Sequence, residues 1–258
     1  MITAEIPVTG AAPDPPTLAR RAWVEQVMGM PISVHVRAVD PTRPDVEAGV
    51  ARVFAHLRKV DAVLSTWRAD SDLLRLQHGE RDEVHPWVAD VTELCLEAEE
   101  RTDGLFQAWR RRPGGRLAYD PTGLVKGWAV GGAAAHLDVV PEISYSIGAG
   151  GDIAVGAGRG TSVAPTWRIG IQDPHRPGVV ARVVPLRGGA VATSGAAARG
   201  AHVVDPRTGS GISRAGSATV VGPELVWADV WATAAWVDPA RAQALLGARD
   251  PQYCLTTL

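Results

Sequence analysis

Between residues 143 and 221 the sequence consists of short runs of β-branched and small apolar residues, and this block limits the fold more than any other feature. Turns rich in glycine and proline separate the runs, as in an antiparallel sheet. Segments with helical spacing lie before and after the block rather than between its strands. The sequence therefore predicts an α+β fold, with antiparallel sheets packed against helices. The predicted strands are 143–148, 152–156, 166–172, 179–186, 190–194 and 217–221.

Helical spacing of apolar residues also predicts where the helices lie. A strand pair at 22–39, connected through Met28-Gly29-Met30-Pro31, is expected before the first helix, and a short strand is expected at the C-terminus. Asp120 is expected to cap the third helix, with Pro121 in its first turn. Glycines inside that helix each cost about 1 kcal/mol relative to alanine, so they indicate close contact with another element or a ligand. The predicted helices are 45–64, 87–101, 121–137, 224–237 and 239–247, and the glycines are Gly127, Gly131 and Gly132.

Length and composition limit the class of protein. The 258 residues, 46% of them hydrophobic and 21% charged, suit one large globular domain or two small ones. Residues 1–22 contain four prolines and little periodicity, so they are predicted to form a flexible N-terminal tail before a folded domain at 23–258. A net charge of −2 gives no reason to expect a nucleic acid or a membrane as partner. The start of the chain has no signal-peptide pattern, which predicts a cytoplasmic protein.

Two local features have ordinary structural interpretations. The basic run at 110–116 is typical of a solvated turn. The two cysteines, Cys95 and Cys254, are too far apart in sequence for a metal or redox motif, and Cys95 lies in an apolar helical stripe. Cys95 is therefore expected to be a buried thiol.

The clearest candidate metal ligands lie in the helix predicted at 224–237. Asp229 and Thr233 are four residues apart, so both project from one helix face. The pair alone is a weak signal, but the surrounding residues are apolar nearly all round the helix. A carboxylate in that setting is expected to be at least partly buried, and it then needs a cation or hydrogen-bond donors. Oxygen ligands without His or Cys favour Mg²⁺ over zinc.

Five other residues or segments have both a structural and a functional interpretation. Asp120 is explained by capping, yet a helix N-terminus also binds anions. Lys126 is either a surface side chain or a phosphate contact. Gly150-Gly151-Asp152 and Thr193-Ser194-Gly195 are either turns or phosphate-binding segments. His202 precedes a turn at 205–209 and could act as a general base.

Three common enzyme classes lack support in the sequence. It contains no Gly-x-Gly-x-x-Gly after a strand, no Walker loop and no Gly-x-Ser-x-Gly elbow. Dinucleotide dehydrogenase, P-loop kinase and serine hydrolase are therefore not favoured.

The candidate residues above belong to seven short motifs, and the order of these motifs along the chain resembles that of the ApbE family of FAD:protein FMN transferases. Each motif alone is weak, whereas seven in the right order are specific, and the likeness runs from Met28 to about Asp238. The motifs are Leu64-Ser65-Thr66-Trp67 with Asp70-Ser71, Asp120-Pro121-Thr122-Gly123-Leu124-Val125-Lys126-Gly127, Gly150-Gly151-Asp152, the segment 167–174, Thr193-Ser194-Gly195, the segment 202–209, and Ala228-Asp229 with Thr233.

The resemblance implies a T-fold-like α+β domain that binds FAD and Mg²⁺. It implies cleavage of the FAD pyrophosphate, transfer of FMN to a Thr or Ser hydroxyl of an acceptor protein, and release of AMP. Asp229, Thr233 and the backbone oxygen of Gly123 fall on metal-ligand positions, and His202 falls on the histidine proposed to assist transfer. Lys126 is expected to steady the phosphate charge, and His202 or Asp152 to aid deprotonation of the hydroxyl. The positions at which the family contacts FAD fall on Met28, Trp67, Asp120 and Lys126, and weaker positions of the same kind fall on Leu105, Phe106 and Val203.

The chain departs from the family pattern at three positions and in one segment. Met30 replaces a usual Thr, Gln107 and Gly131 replace usual Asp residues, and the segment between Gln107 and Asp120 is shortened. A non-catalytic FAD-binding protein and an FAD pyrophosphatase giving free FMN and AMP are therefore alternatives, beside an α+β protein that binds no flavin. The resemblance implies FAD and an acceptor protein as partners, and it leaves a homodimer open.

Overall fold

The computed structural model describes residues 17–80, 83–111, 117–162, 164–195 and 203–258. Helices and antiparallel strands make up this part of the chain, which confirms the α+β prediction. The helices are α1 Pro44–Leu64, α2 Asp72–Gln77, α3 Trp87–Arg101, α4 Thr122–Asp138, α5 Leu225–Val237 and α6 Pro239–Arg249. The strands are β1 Ala19–Val27, β2 Met30–Ala38, β3 Trp109–Arg111, β4 Leu117–Tyr119, β5 Ser144–Ala149, β6 Asp152–Ala157, β7 Trp167–Gln172, β8 Val180–Leu186, β9 Gly189–Gly195, β10 Ser217–Gly222 and β11 Cys254–Thr257.

One seven-stranded antiparallel sheet organises the molecule, in the order β1-β2-β5-β6-β9-β10-β11. Helix α4 contacts β5 and β6, and α5 contacts β9 and β10, so the two helices lie side by side on the sheet. Helix α1 packs on α4, and α6 packs on α5. Because α5 has the sheet, α4 and α6 around it, it is buried on nearly every side, which explains its run of Trp, Val and Ala. Two separate hairpins, β3-β4 and β7-β8, complete the fold.

Several element boundaries differ from those predicted. Strand β1 begins at Ala19, so the predicted boundary between tail and domain at 22/23 falls inside a strand. Met30 already pairs with Val27, so the connection from β1 to β2 is Met28-Gly29 alone. Both of these residues have positive φ, 55° and 72°, which is the conformation of a two-residue hairpin turn of type I′. Helix α2 and strands β3 and β4 were not predicted.

The expected cap of α4 is shifted by one residue. The helix begins at Thr122 with Pro121 at the N-cap position, so the prediction that Asp120 is the N-cap residue is wrong. Asp120 still serves the start of the helix, because its Oδ1 accepts hydrogen bonds from the backbone N–H of Thr122 at 3.1 Å and from its hydroxyl at 2.6 Å. Proline has no N–H to donate, so the first amide that the carboxylate can reach is that of Thr122.

The glycines of α4 have different surroundings. A Cβ on Gly127 would lie 2.8 Å from Val226 Cα and 2.9 Å from the Leu225 oxygen, so α4 and α5 touch backbone to backbone. A Cβ on Gly132 would lie 2.9 Å from His56 Nε2 on α1. Gly131 is exposed and has nothing within 4 Å of such a Cβ. Close contact with another element is therefore confirmed at Gly127 and Gly132 but not at Gly131.

No helix in the described part of the chain has both the length and the hydrophobicity of a membrane span.

We predict opposite effects for two alanine substitutions in α4. Gly127→Ala places a methyl group against backbone atoms that cannot rotate away, so it should lower the free energy of unfolding by about 1–3 kcal/mol. Gly131→Ala adds the same group in open space and should raise that free energy by up to about 1 kcal/mol through helix propensity. Urea denaturation of both variants measures the difference. Equal effects at the two positions would contradict the contact between α4 and α5.

Candidate active site

A cavity of about 780 Å³ lies where the β1-β2 turn, the end of β9, the start of α4 and the middle of α5 meet. The end of α1 and the loop after it complete the wall. This volume is in the range of small-molecule sites. Ten residues singled out from the sequence line this single cavity: Met28, Trp67, Leu105, Phe106, Asp120, Gly123, Lys126, Val203, Asp229 and Thr233.

At the base of the cavity, one ammonium group lies between two carboxylates. Lys126 Nζ is 2.5 Å from Asp152 Oδ2 and 3.6 Å from Asp229 Oδ1. The Asp152 side chain is fully buried, that of Asp229 is 5% exposed and that of Lys126 is 19% exposed. Because water is largely excluded, each charge depends on the others for compensation. The three groups belong to α4, β6 and α5, so the charges also join these elements.

Asp229 has an unusual environment for a carboxylate. Its Oδ2 is buried and accepts no hydrogen bond from any described residue. Burial raises the pKa of the Asp229 carboxyl to about 7. The Lys126 ammonium opposes this rise, and the negative charge of Asp152 adds to it. An oxygen in this position is suited to a cation that approaches from the cavity.

Hydroxyl groups lie next to this carboxylate. Thr233 lies one helical turn after Asp229 and faces the same cavity, as the i, i+4 spacing predicted. Its Oγ1 is 3.3 Å from Ser194 Oγ at the end of β9. The described residues contain no group of three or more His, Cys, Asp or Glu side chains that could hold a metal. The donors available are instead the Asp229 carboxylate and neutral oxygens, a set that suits a hard cation such as Mg²⁺ better than zinc.

Asp152 does not line the cavity. Its Oδ1 accepts a hydrogen bond from the backbone N–H of Thr193 at 3.0 Å, and its Oδ2 contacts Lys126. Both oxygens therefore face protein groups. The hypothesis that Asp152 deprotonates an incoming hydroxyl does not fit this placement, because a base must lie within hydrogen-bond reach of the proton it takes. Its contacts instead hold Lys126 and join β6 to β9.

His202 lies outside the described residues, so its predicted role is not assessed. The turn that follows it is formed as predicted: the Asp205 oxygen accepts from the backbone N–H groups of Thr208 and Gly209 at 3.2 and 2.8 Å. Arg207 bonds both Asp205 and Asp238, which anchors this turn beyond the C-terminal end of α5.

Phe106 and Gly123 form a second part of the wall. A Cβ on Gly123 would lie 3.0 Å from Phe106 Cε2, so the ring lies directly against the first turn of α4. Leu105 and Phe106 are buried, at 1% and 3% exposure, and they give this part of the cavity an apolar surface. Val203 adds a further buried apolar group to the cavity wall.

Trp67 stands at the mouth of the cavity, and its side chain is 91% exposed. The loop that carries it is held by its own hydrogen bonds. Ser65 Oγ accepts from the backbone N–H groups of Trp67 and Arg68, and Ser71 Oγ donates to the Ser65 oxygen at 2.7 Å. An exposed indole on a fixed loop can stack on a planar ring that enters the cavity.

The three departures from the family pattern occupy different places. Met30 and Gln107 line the cavity, and the Gln107 amide donates to Glu99 at 3.2 Å. Gly131 is exposed, two helical turns beyond Gly123, and is not part of the cavity wall. The missing carboxylate at Gly131 therefore leaves the composition of the cavity unchanged.

Comparison with known proteins identifies the family of this chain. The model of the ApbE family matches residues 28–109 and 107–255. The chain is 29% identical over 284 residues to the FAD:protein FMN transferase of Klebsiella pneumoniae (strain 342), which covers 86% of this chain and 79% of that protein. The chain therefore belongs to the ApbE family.

Solved structures of this family have the same fold. The ApbE protein of Thermotoga maritima aligns with a TM-score of 0.76 at 18% identity, covering 93% of this chain and 94% of that one. The apo form of the Pseudomonas stutzeri flavinyl transferase ApbE aligns with a TM-score of 0.72 at 22% identity, covering 93% and 95%. The flavin transferase ApbE of Vibrio cholerae aligns with a TM-score of 0.69 at 20% identity, covering 93% and 97%.

We predict that Lys126→Met lowers the free energy of unfolding by about 3 kcal/mol, because it leaves the buried carboxylate of Asp152 without its cation. The double variant Lys126→Met/Asp152→Asn removes both charges and should recover most of the loss. Urea denaturation of the single and double variants measures this coupling. Additive losses in the double variant would contradict a buried ion pair between these residues.

Proposed function

We propose that the chain is an FAD:protein FMN transferase. A hydroxyl oxygen of Thr or Ser on an acceptor protein attacks the phosphorus of the FMN half of FAD. The new bond is a phosphoester, the bond to the AMP phosphate oxygen breaks, and the hydroxyl proton is released. The observation that carries this proposal is the group formed by Lys126, Asp152 and Asp229 at the base of a cavity large enough for a nucleotide.

Lys126 has the position and charge to bind the pyrophosphate. Its ammonium is held by Asp152 from behind and is partly exposed, so it can face the cavity without reorienting. A pyrophosphate gains negative charge on its oxygens as the bond to AMP breaks. A fixed ammonium stabilises that charge with little reorganisation, which lowers the barrier. Asp152 acts in this proposal as the residue that positions Lys126.

The site also fits a Mg²⁺ ion, which we include in the proposal. Asp229 and Thr233 would hold it, together with the backbone oxygen of Gly123. The buried Asp229 Oδ2, with no hydrogen-bond donor among the described residues, supports this assignment. When bound, Mg²⁺ would supply a Lewis acid to the pyrophosphate oxygens.

The remaining residues would hold the rest of FAD. Trp67 offers a face for ring stacking, while Met28, Leu105, Phe106 and Val203 supply apolar contacts. Asp120 lines the same cavity and offers a carboxylate for a polar contact. His202 stays a predicted aid to deprotonation of the hydroxyl. The cytoplasmic location also stays a prediction.

The test is an assay for protein flavinylation. The chain is incubated with FAD, Mg²⁺ and a set of peptides that each contain one Thr or Ser. We expect a covalently fluorescent peptide that has gained one FMN, together with an equal amount of AMP. Asp229→Ala should lower the rate about 100-fold or more, because it removes charge from the site that stabilises the transition state. Asp90→Ala, at an exposed carboxylate on α3, is the matched control and should keep full activity.

Other outcomes have distinct meanings. Free FMN and AMP without acceptor would indicate an FAD pyrophosphatase. FAD binding without any product, unchanged in Asp229→Ala, would indicate a protein that only binds FAD. Either result would refute the transferase.

A further inference from the structure

Arg110 is less engaged by carboxylates than the other two basic residues that line the cavity. Among the described residues that line it, the cations are Arg68, Arg110 and Lys126. Two of them are held by carboxylates. Lys126 lies between Asp152 and Asp229, and Arg68 bonds Asp70 at 3.2 and 3.0 Å and Asp61 at 3.5 Å. The charge of each is therefore already compensated by protein carboxylates.

The guanidinium of Arg110 is less engaged. Its ion pair is with Asp120, at 3.7 Å between Nη1 and Oδ2, which is longer than a hydrogen bond. Asp120 directs its other oxygen to Thr122. No hydrogen bond joins the Arg110 guanidinium to another residue in the described part of the chain. An arginine has five N–H donors in a planar fork, so Arg110 has donors available for a ligand.

The hairpin β3-β4 explains why Arg110 faces this cavity. Successive residues of a strand point to opposite faces. Trp109 packs on Tyr119 with ring centres 5.0 Å apart, and both line a second cavity, of which Arg110 is not a part. Arg110 is the next residue, so its side chain lies on the face of the main cavity, where it is 35% exposed.

The charges already present in the cavity favour the use of Arg110 by an anionic ligand. The acidic side chains that line it are Asp61, Asp120 and Asp229, and Asp152 lies directly behind Lys126. These four carboxylates face the three basic side chains of the wall. A pyrophosphate brings two more negative charges, so a cation with free donors would lower the cost of binding it.

We propose that Arg110 binds the pyrophosphate of the substrate through its planar fork. This inference rests on the proposed function, because it takes FAD as the ligand. Bidentate contact with a phosphate is the geometry for which a guanidinium is better suited than an ammonium. Arg110 thus contributes affinity for the phosphate part of FAD and not for its ring systems.

Binding measurements on three ligands test this role. FAD and ADP contain the pyrophosphate, and riboflavin lacks it. Arg110→Met should weaken binding of FAD and ADP by about 10- to 100-fold and leave riboflavin binding unchanged. It should also reduce the dependence of FAD affinity on salt concentration. Arg110→Lys should lie between wild type and Arg110→Met, and Arg52→Met, at an exposed position on α1, should match wild type.

The outcomes separate this role from the proposed function. If wild type binds FAD and Arg110→Met binds FAD and ADP equally well, the role of Arg110 is refuted and the proposed function stands. If Arg110→Met loses riboflavin affinity to the same extent as FAD affinity, Arg110 acts by shaping the cavity and the proposal is also refuted. If wild type binds none of the three ligands, the proposed function fails and the role of Arg110 fails with it.

Discussion

The ammonium of Lys126, placed between the carboxylates of Asp152 and Asp229, is the interaction on which the site depends. It joins α4, β6 and α5 at a point where water is largely excluded. In such an environment an unpaired charge costs several kcal/mol, so the three groups hold one another in place. The same contacts therefore stabilise the fold and hold the Lys126 ammonium at the cavity. The side chain of Lys126 therefore links the geometry of the cavity to the stability of the fold.

Close contact between two helices makes this interaction possible. Gly127 follows Lys126 directly, and its missing side chain lets α4 touch the backbone of α5 at Leu225 and Val226. Any larger residue there would move the helices apart and separate Lys126 from Asp229. Two carboxylates with one ammonium also leave an excess of negative charge. Burial raises the pKa of Asp229, the Lys126 ammonium opposes this rise and the negative charge of Asp152 adds to it. The excess negative charge suits the site to a cation.

Periodicity predicted most of the helices and strands because most of them bury an apolar face. Boundaries were less accurate where proline or a tight turn intervenes, as at Pro121 and at Met28-Gly29. The i, i+4 spacing placed Asp229 and Thr233 on one face, and the structure confirms this arrangement. Local pattern could not show that Gly127 touches a second helix and Gly131 does not, because that difference arises from residues about a hundred positions away.

The sequence predicted which residues belong to the site better than it predicted how they contact one another. The resemblance to the ApbE family identified residues that the structure brings to one cavity. It did not show that Asp152 faces Lys126 from behind, since this pairing depends on the relative position of β6 and α4. Arg110 was missed because a run of arginines in a short segment is typical of a solvated turn. The structure shows that Arg110, in strand β3, lines the cavity.

The most direct measurement is a crystal structure of the chain grown with FAD and Mn²⁺, with Mn²⁺ replacing Mg²⁺ because its anomalous scattering identifies it. We predict one anomalous peak within about 2.5 Å of oxygens of Asp229 and Thr233. The FAD pyrophosphate should lie between that peak and Lys126 Nζ. A pyrophosphate bound elsewhere, with no metal peak at Asp229, would contradict the central claim that this buried charge group is the reaction site.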